Sequence, residues 1–207
     1  MNKITDIKPQ VKNPTRCNVY LDNAFYCGLE LETVMRYRLK AGDDIEKERL
    51  DEIQSDSETA RAFDKALSFI SLSKKTKKQV RDYLTKKGYT DKTIDRALEK
   101  MQSYAFIDDE DYARDYARSV AANKGKRLIA LELKRKGVSD ADASAALDEL
   151  GDELPSATAV AEKYAKNKEK NRENLLKCYK YLLSKGFSYD TAKQAADEIF
   201  RYEDDNF

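Results

Sequence analysis

Apolar residues recur at helical spacing through most of this chain, but its first thirty or so positions follow a different rule. From Cys17 to Gly28 the run Cys-Asn-Val-Tyr-Leu-Asp-Asn-Ala-Phe-Tyr-Cys-Gly alternates with period two. It is rich in β-branched and aromatic residues, as a half-buried strand pair requires. Asp22-Asn23 supplies the turn, since both side chains tolerate positive φ and bond nearby backbone. The pattern predicts a β-hairpin, with Ile4 to Val11 as a candidate third strand. A three-residue loop would set Val19 opposite Phe25 and Cys17 opposite Cys27, whereas a two-residue loop would shift that register. Both remain open. A lone hairpin is marginal in water, so a helix is expected against it.

Beyond it the apolar period becomes helical. Leu31 to Tyr37 reads as a short helix ending near Ala41-Gly42, and Ile45 to Gln54 as an acidic helix running toward the first repeat. One sentence of sequence then appears three times: Val80 to Thr90, Ile129 to Ser139 and Cys178 to Ser188, with Gly88, Gly137 and Gly186 spaced 49 residues apart. A fixed period of this size marks stacked helical repeats. Val80, Ile129 and Cys178 are in phase, as are Leu84, Leu133 and Leu182 four residues later on the same helical face. Each glycine follows a lysine, where a helix ends in the left-handed region. An apolar residue (Tyr89, Val138, Phe187) and a capping hydroxyl (Thr90, Ser139, Ser188) come next and start another helix. Ala97, Leu98, Met101, Ala146, Leu147, Leu150 and Ile199 should line the core of the closing helices.

The expected fold is mainly α: three tandem three-helix repeats, an elongated helical array, preceded by a small N-terminal β-hairpin/helix module. The divisions are 1–57 for the N-terminal module, 58–107 for repeat 1, 108–156 for repeat 2 and 157–207 for repeat 3. The helices are expected at about 58–71, 74–87 and 91–102, then 110–123, 126–136 and 140–150, and finally 157–169, 172–185 and 189–202.

Composition sharpens the picture. The 207 residues are 41% hydrophobic and 37% charged, and no proline falls between Pro14 and Pro155, which suits helix after helix. There is no histidine, and the three cysteines form no Cys-x-x-Cys pair. Zinc sites and imidazole catalysis therefore lose their usual groups. Neither a signal core nor a membrane-length apolar stretch is present, so a reduced, cytoplasmic protein is expected.

The acidic run Ile107-Asp-Asp-Glu-Asp-Tyr-Ala113 could be read as a metal or acid/base site, but capping by Asp108 or Asp109 at a helix start explains it better. Cys17 and Cys27 could form a redox pair; packing on an apolar face is the stronger reading, and Cys178 stands in a core position. No phosphate loop and no nucleophile beside a base is found. No catalytic, cofactor-binding or metal-binding residues are assigned, no cofactor is expected, and the chain is read as no enzyme.

Net charge is only +1, yet Lys74–Lys87 holds seven bases against one acid and Lys124–Lys136 six against one. The bases are in phase: Lys75 with Lys124, Lys77 with Lys126, Lys78 with Arg127, Lys86 with Arg135, and Lys87 with Lys136 and Lys185. Together with Lys134 they could form a stripe suited to a phosphate backbone or an acidic groove. A solvated face with lysines at helix C-termini is the competing reading. Tyr83 and Tyr181, in phase with Glu132, are the candidate stacking rings.

These residues resemble the RecX family, regulators of the RecA recombinase. The resemblance rests on Ala105-Phe-Ile-Asp-Asp-Glu-Asp-Tyr-Ala113, Lys124-Gly-Lys-Arg127 and Leu131-Glu-Leu-Lys-Arg-Lys-Gly-Val-Ser139. Val80-Arg-Asp-Tyr-Leu-Thr-Lys-Lys-Gly-Tyr89 is similar to the family's first repeat, and Asn18-Val-Tyr-Leu-Asp-Asn-Ala-Phe25 to the hairpin of its longer members. The resemblance implies a non-enzymatic modulator lying in the groove of a RecA filament on DNA, inhibiting recombinase, ATPase and co-protease activities within DNA repair and the SOS response. The implied partners are RecA and, directly, single- or double-stranded DNA, with no membrane and a monomeric protein. The contacts it implies are Lys124, Lys126, Arg127, Lys134, Arg135 and Lys136 of the middle repeat; Lys75, Lys77 and Lys78 are added as candidates by their phase with these bases. The alternative is a stand-alone helical-repeat DNA-binding protein that affects recombination indirectly.

Overall fold

Asn2–Gln10 (β1), Asn13–Leu21 (β2) and Ala24–Glu30 (β3) form an antiparallel meander, and Asp44–Ile45 (β4) pairs with β1 to give the order β3-β2-β1-β4. This is a computed structural model describing residues 1–201. Asp22 and Asn23 both adopt left-handed φ, 51° and 66°, which makes the two-residue turn that matches strand twist. Leu21 pairs with Ala24, and a bulge between Val19 and Tyr20 sets Val19 opposite Cys27 and Cys17 opposite Leu29. The two cysteines therefore do not face each other. All three cysteines are buried free thiols, and burial pushes those of Cys27 and Cys178 up to about 11. They are protonated at neutral pH and serve as packing.

A short helix, Leu31–Arg36 (α1), leads toward Lys47–Ile70 (α2), which is 24 residues long. The acidic stretch and the first helix of repeat 1 are thus one element, continuous through residues 57 and 58, because no glycine or proline interrupts it. Leu50 and Ile53 near its start pack beneath the sheet with Ile4, Val19 and Leu29; Ala62, Phe63 and Ala66 near its end pack with Val80, Leu84, Ile94 and Leu98. Polar contacts pin the sheet to the middle of α2. The Glu30 N–H donates to Ser57 Oγ at 2.8 Å, and Arg16 Nη2 donates to Glu58 and to the Gly28 carbonyl, each at 3.0 Å.

The remaining helices are Lys77–Lys86 (α3), Asp91–Ser103 (α4), Asp109–Val120 (α5), Lys126–Arg135 (α6), Asp140–Asp148 (α7), Leu154–Ala165 (α8), Arg172–Ser184 (α9) and Tyr189–Ile199 (α10). With α2 they make three sets of three. Residue 202, the last of the expected 189–202 helix, and the rest of the chain to 207 lie outside the described residues. Two compact units result: Met1–Lys74 with Val80–Ile107, and Lys75–Gln79 with the chain from Asp108 onward.

The phased positions do what their periodicity requires. Val80, Ile129, Cys178, Leu84, Leu133 and Leu182 are fully buried. Ala97, Leu98, Met101 and Ala146 are buried, while Leu147, Leu150 and Ile199 are partly covered. Gly88, Gly137 and Gly186 hold φ of 85°, 89° and 90°. The residue after each donates its N–H to Leu84, Leu133 or Leu182 at 3.1–3.3 Å, closing the helix end. Thr90, Ser139 and Ser188 then cap α4, α7 and α10.

The three glycines are equivalent in φ and unequal in surroundings. A Cβ at Gly88 would meet open space, one at Gly137 would overlap the Lys78 side chain, and one at Gly186 would overlap the backbone of Leu128. Gly88→Ala should therefore cost about 1 kcal/mol, the left-handed strain alone. Gly186→Ala should cost roughly 1–3 kcal/mol more through overpacking, with Gly137→Ala between them. Urea unfolding of the three variants checks this order, and equal losses would refute it.

Candidate functional site

Most of the candidate bases fall at the starts and ends of α3 and α6. Both helices open with a basic pair, Lys77-Lys78 and Lys126-Arg127, and neither has an acid in its first turn. Cations there oppose the positive end of the helix. Carboxylates from elsewhere in the second unit relieve the conflict. The Lys77 N–H donates to Asp109 at 2.8 Å, and the Lys126 N–H donates to Glu153 at 2.9 Å. The other oxygen of Glu153 accepts from Ser188 N–H at 2.8 Å. A second bond recurs beside each: Thr76 Oγ1 donates to the Lys136 carbonyl at 2.6 Å, and Gly125 N–H to the Lys185 carbonyl at 2.9 Å. Thr76 also exchanges bonds with Gln79 as a capping box. Gly125 has no room for a side chain, since a Cβ would overlap the backbone of Gly186 and Phe187.

The acidic run is accounted for in the same way. Asp108 caps α5 by accepting from Asp111 N–H at 3.0 Å, and Asp109 faces Lys77. Burial raises the Asp109 carboxyl above its usual range, opposed by the bond from Lys77. Among the described residues no cluster of histidine, cysteine, aspartate and glutamate could hold a metal.

The nine candidate bases sort into distinct roles. Lys124 donates to Glu132 at 2.6 Å, and Tyr116 donates its hydroxyl to the same carboxylate at 2.6 Å. Lys136 lies over the Tyr116 ring at 4.9 Å. Burial works against the charged form of Glu132, yet the bonds from Lys124 and Tyr116 hold its carboxyl below the usual range. Burial, and then the bond to Glu132, raise the Tyr116 phenol. Lys124 and Lys136 therefore support the interior of the second repeat. By contrast, Arg127, Lys134 and Arg135 are exposed on α6 at spacings that share one face, with exposed Leu131 among them. Lys134 pairs at 3.2 Å with exposed Asp140, and Arg127 lies 5.0 Å over the exposed Tyr189 ring. Lys75 and Lys77 are half-buried and Lys78 is exposed at the start of α3, while Lys126 is half-buried at the start of α6.

The candidate stacking rings are engaged within the chain. Tyr83 stacks on Phe69 with centroids 4.2 Å apart, and Tyr181 on Tyr164 at 4.9 Å. Lys87 and Lys185 cover them at 5.5 and 5.3 Å. The phased lysines are thus lids on internal rings. Repeat 2 keeps the lid but substitutes Glu132 for the tyrosine, so its ring comes from Tyr116 on α5. The sequence pattern did not disclose this cluster, and its one signal was the glutamate standing out of phase with two tyrosines.

Four family profiles match the chain in order: the regulatory protein RecX N-terminal domain at residues 2–46, and the first, second and third RecX three-helix domains at 62–101, 108–147 and 152–196. The chain belongs to the RecX family. The regulatory protein RecX of Clostridium perfringens strain SM101 is 36% identical over 199 residues, covering 92% of each chain. That of Bacillus licheniformis is 31% identical over 212 residues, spanning 100% of this chain and 80% of its own length. A crystal structure of regulatory protein RecX superposes with a TM-score of 0.74 at 24% identity, covering 95% of this chain and 100% of that one. RecX from Lactobacillus salivarius gives 0.64 at 28% identity, covering 70% and 98%. RecX proteins are regulators rather than enzymes, and no helix among the described residues is long and apolar enough to cross a membrane.

Glu132 makes the repeat sensitive to acid. Its folded carboxyl sits below the usual value of 4.5, so it contributes stability above that value and loses it as pH falls through the lower, folded one. Glu132→Gln should be less stable than the parent near neutrality and should show a flatter decline in acid. Urea midpoints measured from about pH 6 to about pH 3 would show two parallel curves if the carboxylate contributed nothing.

Proposed function

We propose that this protein regulates RecA by lying along the groove of a RecA filament on DNA, in the cytoplasm and as a monomer, and that it inhibits recombinase, ATPase and co-protease activity. Family membership supports the RecA partner. The observation that carries the mode of binding is the outward basic face of α6, where Arg127, Lys134 and Arg135 flank an exposed Leu131. Exposed guanidinium and ammonium groups around an apolar centre suit an acidic protein groove, and the guanidinium fork also reaches phosphate oxygens. Lys78, exposed at the start of α3, and half-buried Lys75, Lys77 and Lys126 are further candidate contacts at the helix starts, while Lys124 and Lys136 support the interior of repeat 2. Near-neutral net charge favours a protein partner over DNA alone, since a dedicated DNA binder carries a clear excess of base.

The test is DNA-dependent ATP hydrolysis by RecA with and without this protein, at increasing DNA concentration. Inhibition that persists in excess DNA supports action on RecA; inhibition that excess DNA abolishes marks competition for DNA and overturns the reading. Replacing Arg127, Lys134 and Arg135 together with Glu should weaken inhibition roughly tenfold or more while the thermal midpoint stays close to the parent's, because exposed charges contribute little to folding. Inhibition by the parent should also weaken as salt rises. Full inhibition by the triple variant would remove α6 from the contact.

A further inference from the structure

Three aromatic rings in the first unit form a cluster that packing alone does not explain. Phe63 of α2 is 8% exposed, but Tyr104 and Phe106, just after α4, are 58% and 47% exposed. The ring centroids lie 6.2 Å (Phe63–Tyr104), 6.1 Å (Phe63–Phe106) and 5.8 Å (Tyr104–Phe106) apart, all tilted or edge-on. The two outer rings thus hold each other in place and leave much of their surface in water.

The backbone between them is strained to do this. Ala105 sits at φ 54° and closes α4, with its N–H on Gln102 and that of Phe106 on Met101, each at 2.9 Å. Among the described residues α1 alone closes in the same way on another side-chain-bearing residue, Arg38 at φ 53°, whereas the ends of α3, α6 and α9 use glycine at positive φ (Gly88, Gly137, Gly186). An alanine there costs about 1 kcal/mol relative to glycine, and strain of this kind gathers at recognition sites. The strained turn is held by its two backbone bonds and by the packing of both rings on Phe63, so the rings stand in place before a partner arrives.

Charge indicates what fits. Lys100 Nζ lies 4.5 Å over the Phe63 ring, at the centre of the cluster. Arg96, one turn earlier, is already directed to Ser55 and Asp56. Asp64, beside Phe63, lines a different cleft with Leu31 and Met35. Two presented rings and one cation lack the basic track that single-stranded nucleic acid needs. They match the centre of a protein interface, where aromatic anchors dominate.

We propose that Tyr104 and Phe106 anchor a docking surface for a protein segment carrying an apolar side chain next to a carboxylate: the side chain seats against the two rings and the carboxylate meets Lys100. Resting on the proposed regulation of RecA, the segment belongs to RecA, and this contact is additional to the basic face of α6. The experiment measures affinity for RecA filaments assembled on single-stranded DNA, and separately for oligo(dT) alone. Tyr104→Ala/Phe106→Ala should bind the filament roughly tenfold more weakly or worse. Lys100→Glu, which keeps all three rings and gives up the exposed contact over Phe63, should weaken it several-fold with only a small fall in thermal midpoint. Oligo(dT) affinity should be unaffected by either. Unchanged filament affinity in both variants overturns this surface and leaves the RecA reading standing, whereas a parent protein that fails to bind filaments overturns both. Loss confined to oligo(dT) overturns it in favour of base stacking.

Discussion

A helix that begins with two bases needs a negative partner at its first turn, and in this protein that partner comes from a distant part of the sequence. Asp109 and Glu153 accept the N–H groups of Lys77 and Lys126. The Lys136 and Lys185 carbonyls receive a second donor at the same two places. These bonds join the start of one middle helix to the glycine-closed end of the next. That is why Gly137 and Gly186 have neighbours where Gly88 has none. The helix α9, by contrast, supplies its own Asn171 cap and a first-turn Glu173. With its negative partner supplied from a distance, α6 can keep Arg127 exposed in its first turn.

The same economy of charge explains a net of +1 in a chain with strongly basic stretches. Carboxylates are placed where they finish internal structure. Glu132 gathers Lys124 and Tyr116, Asp108 caps α5, and Glu153 takes two N–H groups at once. Among the bases, Lys87, Lys136 and Lys185 are lids over tyrosine rings, Lys124 is paired with Glu132, and Arg127, Lys134 and Arg135 lie on the exposed side of α6. Overall charge therefore hides a surface that is locally basic, and only the location of each partner separates a structural lysine from an available one.

Much of the fold was legible because it rests on short-range rules repeated three times. The glycine, apolar residue and hydroxyl that come after each middle helix fix a left-handed end, a buried contact and a cap, and each is visible within eleven residues of sequence. The join of two expected helices into α2 was less legible, since charge-rich sequence without glycine or proline does not mark where one helix would stop. The strand register was undecidable because the alternating pattern does not mark the bulge between Val19 and Tyr20. In the candidate site, the phase of the lysines was visible but its meaning was not. Lys87, Lys136 and Lys185 are in phase because each covers a ring of its own repeat. Periodicity reports a shared structural duty at least as readily as a shared ligand.

The departures from the repeat are consequently more informative about function than the repeat itself. Glu132 replaces a tyrosine and draws Lys124 inward, and Arg127, Leu131, Lys134 and Arg135 fall together on the exposed face of α6. The corresponding positions of α3 are Lys78, Thr85 and Lys86 around an acid, Asp82, and those of α9 are Leu176, Leu183 and Ser184 around Lys180. Ala105 likewise stands where a glycine would be easier, between two rings left in water. Each repeat closes around its own core, so the core positions must agree in character from one repeat to the next. Freedom to differ is confined to the outer faces and the loops between repeats, and the differences there are what a partner can distinguish.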